Sequence, residues 1–391
     1  MAATGPSGPL DGLLVADFSR ILAGPYCTML LADLGATVIK VEGPSGDDTR
    51  HWKPPVAPDG TSTYFLAINR NKRSLVLDLA DEKDLALAVE LTTRADVVVQ
   101  NFKPGGLARF GLDVDAVRAR NPGVLYASIS GFGAGGGAAL PGYDLMVQAL
   151  SGLMDLTGDP AGPGYRAGVA VFDVMAGLHT AVGILAALAH RQRTGEGQHI
   201  ETNLLSSALS GLVNQTSAYL AGGVLPTRAG NAHPSIYPYE PFPTADGELV
   251  VIAANDGQFV RLCDLLGIPD VARDPRFAGN ADRTRNRLEL EPLLVERLST
   301  RTAQEWFDLL AAGGVPCAPI ATVAEGVAYA ERLGLEPVVD LDDGRGAPVR
   351  AVASPIRLSR TPATHRLPPP ALDADGDELR RWLGSTGPLH S

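Results

Sequence analysis

The 391-residue sequence predicts an α/β protein, with a doubly wound, mainly parallel sheet in a large domain and a smaller α+β domain after it. Three observations predict this. Short apolar strands alternate with helical stretches through the first half, the pattern of right-handed βαβ crossovers. The length exceeds what one hydrophobic core usually serves, so about two domains are expected. Residues 221–248, "AGGVLPTRAGNAHPSIYPYEPFPTADGE", then concentrate Gly, Pro and turn formers as a linker does.

The elements follow in order. "LLVADF" (13–18) is an apolar run of strand length, "GPYCTMLLADLG" (24–35) a helix and "ATVIKVE" (36–42) a second strand. "RSLVLDL" (73–79), "DVVVQNF" (96–102) and "VLYASISGF" (124–132) continue the strands, with a helix at "DEKDLALAVELTTRA" (81–95). Sheets of this kind bind ligands beyond the carboxyl ends of their strands. The loop "GAGGGAALPGYD" (133–144) leads to helices at 145–155 and 172–192. "GQHIETNLL" and a helix near 205–220 then close the first domain. The predicted boundaries are a large domain over 1–220, a linker over 221–248, a small domain over 249–330, and a linker and tail over 331–391 that returns to the large domain. In the small domain "LVVIAA" (249–254) reads as a strand, "GQFVRLCDLLG" (257–267) and "TAQEWFDLLAAGG" (302–314) as helices. In the tail "PVRAVASPIRLS" carries strand signals.

Net charge is −11, against the clustered basic face that a nucleic-acid partner needs, although a few local cations suffice for a small anion. Cys27, Cys263 and Cys317 are far apart, lack metal spacing and sit in apolar contexts. They are expected to pack in cores within a reducing, cytoplasmic compartment. No residue group has the spacing of a metal site. "MAATGPSGPLDG" has neither the basic nor the apolar region of a signal peptide.

One stretch raises a question. From Val174 to Ala189 the only polar side chains are His179 and Thr180, so a helix buried on all sides is expected, with His179 a satisfied core histidine. It is short for a membrane span and runs into "HRQRTGEGQ". Yet Asp173 stands at its head, and burying a charged carboxylate is costly without compensation. Read from the residues alone, Asp173 is a helix N-cap or a functional carboxylate. A dinucleotide site fails on its glycines, because the first turn is "FSRILAGP" rather than G-x-G-x-x-G. "GAGGG" is a weak anion-binding nest, and "NRNKRS" (69–74) is a solvated turn or a phosphate contact.

Taken in order, a set of stretches resembles the family III CoA-transferases, which include formyl-CoA transferase, carnitine CoA-transferase and the α-methylacyl-CoA racemases. They are "PLDGLLVADFSRILAGPYCTMLLADLGATVIKVEGPSGDDTR", "NRNKRSLVLDL", "ADVVVQNFKPGGLARFGL", "GYDLMVQALSGLM", "AGVAVFDVMAG", "ALAHRQRTGEGQHIETNLL", "GNAHPSIYPYEPFPTADG" and "GVPCAPI". The resemblance implies a Rossmann-like large domain and a small domain, joined by linkers that wind through a second subunit to form an interlocked homodimer. Coenzyme A and acyl-CoA enter as substrates, with no permanently bound cofactor, no nucleic acid and no membrane. The family's catalytic aspartate falls on Asp173. Its CoA contacts fall on Ile21, Leu22 and Ala23, on Leu77, Asp78 and Leu79, on Asn101, Phe102 and Lys103, and on Arg109. Gly142, Tyr143 and Asp144 line the region near the thioester.

Three departures from the family pattern matter. An arginine that often meets CoA phosphate is Gly43 here, leaving Arg50 or the pair Lys72 and Arg73 as replacements. "GNAHPSI" stands where formyl-CoA transferases carry a glycine run, which speaks against a formyl or oxalyl substrate. Racemases carry His before the Asp of "GHD", where this chain has Tyr143. Exchanging an α-proton needs two groups, a role imidazole fills near neutral pH and a phenol of pKa about 10 does not. CoA transfer needs one carboxylate nucleophile. The sequence therefore points to an acyl-CoA:carboxylate CoA-transferase acting through mixed-anhydride and aspartyl-CoA thioester intermediates on Asp173. The alternative is an α-methylacyl-CoA racemase. Asp256, in "AANDGQF", is a further acidic candidate from the small domain.

Overall fold

The computed structural model describes residues 8–342, 348–387 and 389, which form two compact units. The first unit takes the chain up to Leu153, Arg166–Val224 and the chain from Gly334 onward. Its strands are β1 (Leu14–Asp17), β2 (Thr37–Glu42), β3 (Lys72–Val76), β4 (Val97–Gln100), β5 (Leu125–Ser130) and β6 (His199–Asn203). All are parallel, in the order β3-β2-β1-β4-β5-β6. This is the Rossmann order, and its direction of winding reverses between β1 and β4. Runs such as "VVVQ" in β4 are buried on both faces, as a covered parallel sheet requires.

The helices up to Leu220 are α1 (Ala23–Asp33), α2 (Thr63–Ile68), α3 (Glu82–Arg94), α4 (Val114–Arg120), α5 (Asp144–Leu150), α6 (Leu153–Leu156), α7 (Val171–Thr194), α8 (Leu204–Gly211) and α9 (Val213–Leu220), of which α6 falls almost wholly in the second unit. Cys27 and Leu31 of α1, Phe172, Ala176 and Ile184 of α7 and Leu204 of α8 build a core on one face of the sheet. Leu91 of α3, Val117 of α4 and Leu379 and Trp382 of the C-terminal helix Gly376–Leu383 build the core on the other.

The second unit takes Met154–Tyr165 and Leu225–Leu333. Its antiparallel sheet joins β7 (Tyr239–Pro243), β8 (Glu248–Ile252) and β9 (Cys317–Pro319). Phe242, Leu249, Val251, Phe259, Leu262 and Trp306 pack in its core. Two predicted boundaries therefore change. The expected linker contains β7, and 154–165 leaves the large domain, because turn-rich composition does not report long-range partners. The predicted helix 205–220 is two helices, broken where Val213 takes φ +37°.

Helix α7 is not buried on all sides. Phe172, Ala176, Thr180 and Ile184 face the core, whereas Leu178, Val182 and Leu185 are 42%, 64% and 38% exposed. His179 lies on this exposed face with Nδ1 3.0 Å from the Ser207 hydroxyl, which corrects its reading as a core histidine. Among the described residues, α7 is the one helix long and apolar enough to cross a membrane, yet one of its faces is built into the sheet's core. Uniform apolarity did not distinguish the face that enters the core from the face that stays exposed.

Candidate active site

Asp173 is the third residue of α7, and residues 167–170 before the helix are irregular. Its carboxylate does not cap the helix. Asp144, the first residue of α5, supplies the cap, and its Oδ1 accepts from the backbone N–H groups of Phe172 at 2.8 Å and Asp173 at 3.1 Å. Gln148, one turn further along α5, donates to Asp144 Oδ2 and to the Val169 carbonyl, and accepts from the Ala167 N–H. An i, i+4 pair on α5 thus pins the segment entering α7. Among the described residues no hydrogen bond or ion pair engages the Asp173 carboxylate. Burial first, and then the Asp144 charge, push Asp173 up to about 7. The helix dipole favours an anion at this end, so the two influences oppose each other.

A contact further along α7 fixes the carboxylate against α1. A Cβ at Gly177 would lie 2.6 Å from the Ala23 carbonyl oxygen, so only glycine allows the two helices to approach so closely. Ala23 and Asp173 share a solvent-open cleft of about 470 Å³ with Asn101, Phe102, Lys103, Ser130 and Gly142. The cleft lies beyond the carboxyl ends of β1, β4 and β5, at the reversal of strand order.

The turn after β1 is held from both sides of that reversal. Asn101 accepts from the Arg20 N–H at 2.8 Å and donates to the Arg20 carbonyl at 2.7 Å. Ile21 sits at φ +69°, a strained region for a β-branched residue. Leu22 caps the start of α1 and is buried with Ala23.

The structure brings Ala23, Asn101, Phe102, Lys103, Gly142 and Asp173 to one cleft. Tyr143 is exposed beside Asp144. Arg109 is an exposed cation on the short turn Ala108–Phe110, its guanidinium 4.5 Å from the Phe110 ring. Leu77, Asp78 and Leu79 follow β3 at the sheet's edge, with Asp78 exposed.

Three predicted phosphate contacts are corrected. Lys72 is fully buried, its ammonium donating to Asp17 Oδ2 at 3.1 Å, the Pro25 carbonyl at 2.9 Å and Asn69 at 3.0 Å. Arg50 is bonded twice to Glu42 and lies 3.7 Å above the Phe65 ring. Arg73 pairs with Asp375 and Glu378 of the C-terminal segment. The expected basic turn 69–74 is thus spent inside the fold, since its counter-charges come from distant positions the local sequence does not show. Asp256 likewise pairs with the buried Arg283 at 2.8 Å within the second unit.

Two participants escape a reading of the sequence. Gln148 looks there like an ordinary helix residue. Tyr64 of α2 packs edge-on against Trp52 with ring centres 5.2 Å apart. Burial first, and then the charges of Asp173, Asp144 and Asp47, push its phenol up to about 12. Nothing in "TYFLAI" marks it.

The site is thus a half-buried carboxylate lining the switch-point cleft of a Rossmann-order sheet that lacks a dinucleotide glycine turn. The family model "CoA-transferase family III" matches residues 10–376. The chain is 45% identical over 378 residues to the succinate–glutarate CoA-transferase of Agrobacterium fabrum, covering 93% of each. It is 39% identical to the acetyl-CoA:oxalate CoA-transferase of Acetobacter aceti, covering 96% of each. A crystal structure of a CaiB/BaiF family protein from Brucella suis superposes with a TM-score of 0.87 at 43% identity, covering 97% of this chain and 100% of that one. The chain belongs to CoA-transferase family III. It is a CoA-transferase acting between an acyl-CoA and a free carboxylate, which sets the racemase alternative aside.

Proposed function

We propose that Asp173 is the nucleophile of this transfer. The observation that supports it most is a helix-terminal carboxylate with no structural partner, because Asp144 has taken over the capping. In the cycle, a carboxylate oxygen of Asp173 attacks the donor thioester carbonyl, the C–S bond breaks, and CoA thiolate leaves a mixed anhydride. The thiolate attacks the aspartyl carbonyl, forming an aspartyl-CoA thioester and releasing the donor as its carboxylate. The acceptor carboxylate attacks this thioester and expels CoA thiolate. The thiolate then attacks the acceptor's own acyl carbon, giving the new acyl-CoA and free Asp173. Every step is acyl transfer, so the cycle asks for no cofactor beyond CoA as substrate. A carboxylate is a weak nucleophile, so positioning in a water-poor site must supply much of the rate.

CoA runs along the carboxyl edge of the sheet in this reading. Ile21, Leu22 and Ala23 receive the thioester end with Gly142 and Tyr143, Asn101 and Phe102 flank it, and Leu77 to Leu79 lie along its course. Lys103 and Arg109 are the exposed cations for the phosphates, now that Arg50, Lys72 and Arg73 are engaged elsewhere. A charge-assisted bond contributes about 1.5–3 kcal/mol. Arg109→Ala should therefore raise the KM for acyl-CoA about tenfold or more, with a smaller effect for a pantetheine thioester. Equal losses for both substrates would place Arg109 away from the phosphates.

The relatives' names suggest short dicarboxylic acids as donor and acceptor. Incubating the protein with succinyl-CoA and a panel of glutarate, mesaconate, oxalate and monocarboxylates, read by mass spectrometry, tests this. New dicarboxylyl-CoA is expected, and turnover of monocarboxylates alone would contradict it. The loop "GNAHPSI" speaks against oxalate, although one relative is an acetyl-CoA:oxalate CoA-transferase, and the oxalate arm of the panel decides between them. A cytoplasmic setting, where thiols stay reduced, suits the three free cysteines.

The apolar side chains left uncovered on the first unit support an interlocked homodimer. Leu145, Val182, Leu209, Val213 and Leu220 are 44–78% exposed on α5, α7, α8 and α9, the kind of apolar surface that a partner covers. Sedimentation at nanomolar concentration should still show a dimer, whereas a fully active monomer would contradict it.

A further inference from the structure

We infer that Asp47 is a positioning residue for the transfer: its carboxylate holds the Ile21 amide, and with it the strained turn 20–23, at the mouth of the Asp173 cleft. The inference rests on the proposed reading that this turn receives the thioester end of acyl-CoA.

Asp47 is 2% exposed and lies beyond the carboxyl end of β2. Its Oδ2 accepts from the Lys40 ammonium at 2.7 Å, and Lys40 is itself fully buried. Its Oδ1 accepts from the Thr49 N–H at 2.9 Å and the Thr49 hydroxyl at 2.7 Å. Both oxygens stand 3.2–3.3 Å from the Ile21 nitrogen. The Asp47 N–H in turn donates to Glu42 Oε2 at 2.8 Å, and Glu42 is gripped by Arg50. Lys40 and the Thr49 N–H and hydroxyl hold the carboxylate in one orientation, with the Lys72 ammonium a further cation acting on it and Glu42 holding its backbone N–H.

Ile21 explains why such a lock is needed. A left-handed β-branched residue persists only where its surroundings over-determine it. Asn101 fixes the preceding Arg20 from β4, and Asp47 fixes Ile21 from the β2 side, so the turn is clamped across the switch point. The Lys40 ammonium also donates to the Ser19 carbonyl at 3.1 Å, extending the clamp to the residue just before the turn. The residues that follow are Leu22 and Ala23, and the Ala23 carbonyl is the atom against which Gly177 seats α7. The position of the turn is thereby tied, through Ala23 and Gly177, to the helix that carries Asp173. A small misplacement at such a point lowers the rate of the chemical step far more than it lowers affinity.

The test uses two isosteric pairs. Lys40→Met with Asp47→Asn removes both charges but keeps an acceptor for the Ile21 N–H, and should retain kcat within about threefold. Lys40→Met with Asp47→Leu removes the acceptor, and should lower kcat about thirtyfold or more with the KM for acyl-CoA within about threefold. Adding Ile21→Gly to the Leu pair should restore several-fold of the lost kcat, because glycine adopts φ near +69° without being held. A purely structural role for Asp47 would not be rescued at Ile21. If the Leu pair does not fold, Lys40→Met with Asp47→Ala, with and without Ile21→Gly, applies the same test through a smaller side chain. Equal kcat in the Asn and Leu pairs, or no rescue by Ile21→Gly, would overturn the inference. Failure of the Asp173 reading is separate, since it shows as turnover by Asp173→Asn with Asp47 intact.

Discussion

Asp173→Asn should lower turnover by at least about 10³-fold while the protein stays folded and binds acyl-CoA. The amide keeps the shape of the side chain but lacks the attacking oxygen. Folding should not suffer, because Asp144 already satisfies the first N–H groups of α7 and nothing in the fold leans on the Asp173 carboxyl. The variant should in fact melt at a higher temperature than the parent at pH 8. A carboxylate whose folded pKa is raised binds a proton more tightly when folded than when unfolded. Stability from Asp173 is therefore greatest in acid and declines as pH rises from the unfolded value near 3.8 to about 7. Above that window the buried charge is a standing cost that Asn removes. Melting curves at pH 4 and pH 8 read this directly, and a gain confined to pH 4 would contradict it.

The pH dependence of kcat/KM carries the second large effect. The nucleophile must be ionised, so kcat/KM should fall about tenfold per pH unit below an acid limb near 7. Burial is the larger cause of that position and the charge of Asp144 the smaller. Asp144→Asn removes the neighbouring charge yet leaves a side-chain oxygen for the Phe172 and Asp173 N–H groups, since Asn and Asp cap almost equally well. The limb should move to lower pH while remaining above the ordinary Asp value, because burial persists. A profile from pH 5 to 9 for both proteins checks this. An unmoved limb would mean that another group sets it.

Much of the first unit was legible because its signals are local. The five apolar runs "LLVADF" to "VLYASISGF" are short, bounded by turn residues and separated by helical stretches, and each became a strand of one parallel sheet, whereas the sixth strand, His199–Asn203, is mostly polar and was not marked as one. Asp173 stood out for the same reason, as one charge heading an apolar segment. The rest needed distant partners. Lys72 and Arg73 look like a solvated or ligand-binding turn until Asp17, Asp375 and Glu378 are placed beside them. The cap of α7 is invisible locally because it is supplied by Asp144, 29 residues upstream of Asp173. The left-handed Ile21 carries no sequence sign at all, since β-branched residues ordinarily avoid that conformation. Segment 154–165 joined the second unit through contacts with residues beyond 225, which composition cannot foretell.

The central claim is that the acyl group and then CoA pass through a covalent bond to Asp173, and trapping that bond tests it most directly. Protein incubated with succinyl-CoA and hydroxylamine, then digested and read by mass spectrometry, should carry a hydroxamate on the peptide containing Asp173. The mass change is about +15 Da, for replacement of OH by NHOH at the activated carboxyl. The label should require the acyl-CoA and be absent from Asp173→Asn. A label on another carboxylate, or normal turnover with no label at Asp173, would contradict the account.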